Sequence, residues 1–184
     1  MTGLFLSLLV GMLWASPAPK TQLKPAPAYG ILLLAHGGNE GWNKEVSAFR
    51  DGIKPKVPIE VAFGMADPDA IQAAVDRLEL SGAAKIVAVP LFINSASEVL
   101  EQTRYVLGIA EKPSEVMRTA MAAMAGHGHH GHVMFSLNKV KIKKPLTMTP
   151  ALDDHPLVAE VLWERAKKLS RSPAAETVLL VGHG

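Results

Sequence analysis

Hydrophobic positions in this chain are grouped in solid blocks separated by stretches where they recur every third or fourth residue. The blocks are Gly30–Ala35, Ile59–Phe63 and Lys85–Val89, each bounded by glycine, proline or a charged residue. A short, uninterrupted aliphatic run is the pattern of a strand buried on both faces, and the spacing between the blocks is that of an amphipathic helix. The alternation predicts an α/β fold, a parallel sheet flanked by helices on both faces.

The intervening segments carry helix signals of their own. A helix over Asn43–Ile53 is expected to bury Val46, Phe49 and Ile53 on one face. Asp67 and Pro68 form an N-cap followed by proline at the first helical position, and Ile71, Ala74, Val75 and Leu78 give that helix its stripe before Gly82 closes it. The third strand is expected to end at Pro90. A helix over Ser97–Leu107 turns Val99, Leu100, Thr103, Val106 and Leu107 inward. An insertion follows at 111–133, where Met117, Met121 and Met124 recur at helical spacing and read as a packed helix face. Beyond it, KVKIKK at Lys139–Lys144 reads as an edge strand whose lysines block strand addition. A last helix starts at Pro156, with Asp153 and Asp154 placed to favour its positive end and Val158, Val161, Leu162 and Leu169 as its stripe. His155, just before it, suits a helix-entrance residue or a ligand equally.

One block recurs. GILLLAHGG at Gly30–Gly38 is matched by TVLLVGHG at Thr177–Gly184. The division expected is therefore one complete unit over 29–150 and the start of a second over 151–184. The loop after a buried parallel strand is where α/β folds place ligands, which makes His36 and His183 site candidates.

The amino terminus changes the picture of where the chain works. Leu4–Trp14 is too short to span a bilayer but has the length of a signal-peptide core, so residues 1–15 are expected to be removed and the protein exported, periplasmic or secreted, with no membrane insertion afterwards. The proline-rich stretch Ser16–Ala28 then reads as an extended linker. With 19 basic against 17 acidic residues, the net charge of +2 gives no case for nucleic-acid binding. The absence of cysteine excludes disulfides, thiolate metal sites and cysteine nucleophiles together. Any metal must be held by imidazole or oxygen.

Candidate chemistry narrows accordingly. The insertion contains AMAAMAGHGHHGH, with His127, His129, His130 and His132 on a glycine-rich tether that lets several rings reach one divalent ion. Such a tether suits metal capture or delivery better than preorganised catalysis. His-Gly-Gly after a first strand suggests the oxyanion loop of lipase-type hydrolases, yet the chain has no G-x-S-x-G elbow. GGNEG at Gly37–Gly41 lacks the companions of a Walker or dinucleotide fingerprint. A strand-end histidine, nearby acids and a histidine tract remain.

The succession LLLAHGG, VAFGMADPDAIQAAVDRL and GAAKIVAVPLFINSASEV resembles the CbiX-type class II tetrapyrrole chelatases, the sirohydrochlorin cobaltochelatase and ferrochelatase family. ALDDHPLVAEVLWERAKKL with TVLLVGHG is similar to the opening of the second unit in two-unit members. The resemblance implies a lyase that inserts cobalt, iron or nickel into a tetrapyrrole without ATP, the metal being a substrate and no cofactor being needed. It implies His36 as base and weak metal ligand. The family's second histidine, a few residues past the V-P-L-F strand, aligns with Glu98, and its acidic residue after the second strand falls near Gly64 or Met65. Partners implied are a tetrapyrrole and a divalent metal, with a homo-oligomer left open. The competing expectation is an exported metal-binding or tetrapyrrole-binding protein on the same fold, without catalysis.

Overall fold

A computed structural model of the chain describes residues 28–53, 57–125 and 138–181. The expected signal segment, most of the linker, His127, His129, His130, His132 and His183 lie outside the described residues.

The elements run β1 (Gly30–Ala35), α1 (Glu40–Ile53), β2 (Ile59–Phe63), α2 (Pro68–Leu80), β3 (Ile86–Leu91), α3 (Glu98–Val106), α4 (Glu115–Ala125), β4 (Leu146–Met148) and α5 (Pro156–Leu169), followed by a single 3-10 turn at Pro173–Ala175. The four strands form one parallel sheet in the order β2-β1-β3-β4. β1 is central, with Leu33 opposite Val61 on one side and Val89 on the other.

Because successive strand residues point to opposite faces, β1 feeds two cores. Leu32 and Leu34 join Ala62, Ile71, Val75, Leu78, Ile86, Ala88 and Val106 beneath α2 and α3. Leu33 and Ala35 join Val46, Ile59 and Val61 beneath α1. The first core is the larger. On the second face Val89 and Leu91 of β3 are only partly covered.

Local chemistry explains the boundaries. α2 begins where expected: the Asp67 carboxylate accepts from the backbone N–H of Asp69 at 2.9 Å, and Pro68 takes the first position. α1 starts three residues earlier than the pattern suggested, because the Asn39 side chain accepts from Trp42 N at 3.0 Å and Lys44 pairs with Glu40 at 2.7 Å. Its inward face is also narrower: Val46 is buried but Phe49 is 55% exposed. β3 runs through Pro90 to Leu91, which is tolerated since β4 pairs only with Ile86–Ala88 and leaves that side of the ladder empty at the proline.

Three expectations are corrected. KVKIKK is not an edge strand; the edge is β4, and Lys139–Lys144 is an extended strap across the helices, tucking Val140 and Ile142 against the larger core. The Gln72 side chain mimics a strand partner, accepting from Lys141 N at 2.7 Å and donating to its carbonyl at 3.1 Å, while Lys143 N donates to Glu79 at 2.6 Å. Lys139 lies over the Tyr105 ring, 4.7 Å from its centroid. Second, the α5 stripe is uncovered: no residue of α5 is buried, and Val161, Leu162 and Leu169 are exposed. Third, Asp153 is engaged elsewhere than at the start of α5, as set out below. α4 does form across the methionine segment, and Met117 is buried.

No helix of the described residues is long and apolar enough to cross a membrane.

Candidate functional site

From β1 the chain moves outward through α1 to β2, then back across β1 through α2 to β3. The order reverses between β1 and β3, and the carboxyl ends of strands flanking such a switch point open a crevice that neither crossover fills. His36 is the first residue past β1 and Phe92 the first past β3. The two rings meet there with centroids 6.3 Å apart and planes inclined by 51°.

His36 is exposed, and its Nδ1 lies 2.8 Å from the Gly37 carbonyl oxygen. A carbonyl can only accept, so Nδ1 is the donor in this bond and Nε2 is the ring nitrogen left without a protein partner among the described residues. The turn that makes this bond needs glycine twice. Gly37 has φ 77°, and a Cβ there would lie 3.5 Å from Gly64 N. Gly64 has φ 127°, donates to the Ala35 carbonyl at 2.9 Å and would bring a Cβ to 3.1 Å from Asp67 Cβ. The family's acidic residue cannot therefore stand at Gly64 without remaking the β2–α2 turn. Gly38 N donates to the Asn43 side chain at 3.0 Å, so this turn does not present that amide to a phosphate.

Glu98 opens α3 behind the N-cap Ser97, at the same edge of the sheet as His36. Its carboxylate accepts from Ser114 Oγ at 3.3 Å, next to the start of α4. His155 is a helix-entrance residue: its Nδ1 accepts from Leu157 N at 3.2 Å and Pro156 follows. Among the described residues, no three histidine, aspartate or glutamate side chains come together to hold an ion.

The β3–α3 loop that carries Phe92 is bound by the segment just before α5. Asp153 accepts from Ser95 N at 2.7 Å and from Ser95 Oγ at 2.6 Å. Those two bonds hold its carboxyl below the usual aspartate range, with Arg104 adding a smaller pull in the same direction. Ser95 Oγ also accepts from Ala151 N at 2.7 Å, and Arg104 donates to the Ser95 carbonyl at 3.0 Å. Ser95, Arg104 and Asp153 line one end of a groove of about 700 Å³ beside β4, separate from His36. A signal for this cluster was present in Asn-Ser and Asp-Asp as turn formers, but nothing local pairs them.

A family model described as CbiX matches residues 30–169, from the start of β1 through the end of α5. This chain belongs to the CbiX family. It is also 26% identical over 144 residues to a protein of Methanococcoides burtonii named sirohydrochlorin cobaltochelatase, an alignment covering 76% of this chain and 95% of that protein. The α/β sheet is thus that of a CbiX-type class II chelatase, as the sequence resemblance implied.

Proposed function

We propose that this chain inserts a divalent metal, cobalt or else iron or nickel, into a sirohydrochlorin-type tetrapyrrole without ATP, and that the ring lies against the carboxyl ends of β1 and β3. The observation that carries this reading is the place of His36 at the strand-order reversal, with its Nδ1 engaged by the Gly37 carbonyl so that Nε2 is the ring nitrogen left for chemistry. Membership of the CbiX family and the name of the Methanococcoides burtonii relative support the substrate class.

The chemistry asks for little else. A neutral ring with two pyrrole N–H groups exchanges both protons for one divalent cation, which sheds its water as it enters. Nε2 of His36 takes a proton from a pyrrole N–H or ligates the incoming ion weakly enough to release it, and the protons pass to solvent. Glu98 assists as a second carboxylate ligand or base once released from Ser114. His127, His129, His130 and His132 gather metal for the site, and His183 repeats the role of His36 in the second His-Gly copy of the sequence. The apolar segment Leu4–Trp14 directs the protein out of the cytoplasm.

A second reading, an exported metal- or tetrapyrrole-binding protein without catalysis, is favoured by the engagement of Glu98 with Ser114. A visible-absorption time course of sirohydrochlorin with cobalt separates the two, run on the wild type, on His36→Ala and on a deletion of 126–132. Turnover lost in His36→Ala and kept in the deletion supports the chelatase. No turnover above the metal-only blank, with cobalt binding that disappears in the deletion, replaces it with the binding protein.

A further inference from the structure

The wall of the site opposite His36 is the loop Phe92–Ser97, where Phe92 packs on the larger core and the backbone is bonded to another segment. Its anchorage comes from the far side of the chain. After β4, the backbone continues alongside the loop: Leu152 N donates to the Phe92 carbonyl at 3.0 Å and Asp153 N to the Ile93 carbonyl at 2.8 Å. The side chains complete the seam, with both Asp153 oxygens taken by Ser95 and the Ser95 hydroxyl accepting from Ala151 N.

Asp153 adopts φ 45°, the left-handed region that an aspartate seldom enters. Ala66 is the other described non-glycine residue with positive φ, and it too lies in a turn at the carboxyl edge of the sheet. Backbone conformations of this kind persist where surrounding bonds over-determine them. At Asp153 those bonds are the two to Ser95 and the one to Ile93, all directed at the loop that carries Phe92.

We propose that Asp153 and Ser95 are a positioning pair that holds Phe92 against His36, so that a carboxylate just before α5 fixes the geometry of the imidazole at the end of β1. The effect on turnover rests on the chelatase reading of His36; the effect on ring geometry does not. A fixed wall keeps the imidazole from swinging away from the reacting ring, and a shift of the order of 1 Å in such a site costs up to about a hundredfold in rate.

Three variants separate the carboxylate from the backbone. Asp153→Asn keeps the shape and the tolerance of left-handed φ but offers one acceptor to two donors. Asp153→Gly relieves the backbone and removes both acceptors. Ser95→Ala removes the hydroxyl alone, and Asp154→Asn serves as the charge-matched control. Circular dichroism selects the folded variants, and NMR of the substrate-free protein reads the His36 ring protons, which sit in the ring current of Phe92. In Asp153→Asn, Asp153→Gly and Ser95→Ala these resonances are expected to move toward their positions in Phe92→Leu, while Asp154→Asn leaves them in place. In the metal-insertion assay kcat is expected to fall about tenfold with the KM for the tetrapyrrole changed less than about twofold, and Ser95→Ala combined with Asp153→Asn to be no worse than the poorer single variant. Unchanged His36 resonances in folded Asp153→Asn and Ser95→Ala overturn the proposal, as does wild-type kcat in Asp153→Gly. A wild type without turnover overturns the chelatase reading, and the resonances then decide the positioning claim alone.

Discussion

His36 and Phe92 meet with tilted rings across the strand-order reversal, at 6.3 Å between centroids, although 55 residues of chain and two crossovers divide them in sequence. Phe92 also packs on the larger core. Its replacement by leucine removes the ring contact but keeps most of the apolar volume, so a loss of about 0.5–1.5 kcal/mol is expected in urea denaturation. A loss well above that range would mean that the loop itself has collapsed.

The two leucines Leu78 and Leu169 test how stability is distributed. Leu78 is fully buried and Leu169 is 83% exposed. Leu78→Ala is expected to cost about 2–5 kcal/mol, and Leu169→Ala to stay within about 0.5 kcal/mol of wild type. Comparable losses in chemical denaturation would show that α5 is packed in solution.

Gly64→Ala places a side chain at φ 127°, 3.1 Å from Asp67 Cβ. The turn between β2 and α2 is expected to lose about 1–3 kcal/mol, since both the backbone and the N-cap must shift. Thermal melting that matches wild type would mean that the turn can be rebuilt at no cost.

Gln102 is 1% exposed, and neither Oε1 nor Nε2 of its amide has a hydrogen-bond partner among the described residues. Removing an unpaired amide from an apolar interior is favourable, so Gln102→Met is expected to raise stability by about 1 kcal/mol, read as a higher melting temperature. A lower one would reveal a partner for the amide.

The bonds from Ser95 set a pH dependence. Asp153 is held below the usual aspartate range in the folded chain, so the unfolded carboxyl takes up its proton first as pH falls. The stabilisation is complete above the ordinary value near pH 4 and is lost as pH drops through the lower folded value. The protection factor of the Ser95 amide, the unstructured exchange rate at a given pH divided by the observed one, is expected to be high at neutral pH and to fall below about pH 4, with no matching change in Asp153→Asn. A loss of protection beginning near neutrality would point to a different group.

Elements whose instructions are local could be read directly. β1 and β2 are solid aliphatic runs, α2 carries its cap and proline in adjacent positions, and the strand-end histidine follows from the Gly37 turn. What escaped reading depends on residues far apart. The alternation in KVKIKK is that of a strand, but its partner is the Gln72 side chain on a helix, which no pairing rule anticipates. Asp153 carries a helix-start signal, yet Ser95, 58 positions away, outbids the helix end with two hydrogen bonds. The Phe49 position fits the helical period and still faces solvent, because α1 crosses the small face of the sheet where Val46 alone reaches the core.

No two strands of the described sheet are joined by a hairpin. β1 meets β2 only across α1, and Ile86 meets Leu146 only across α3, α4 and the histidine tract. Folding therefore waits on contacts between distant parts of the chain, which places it among slow topologies whatever the strength of its helices.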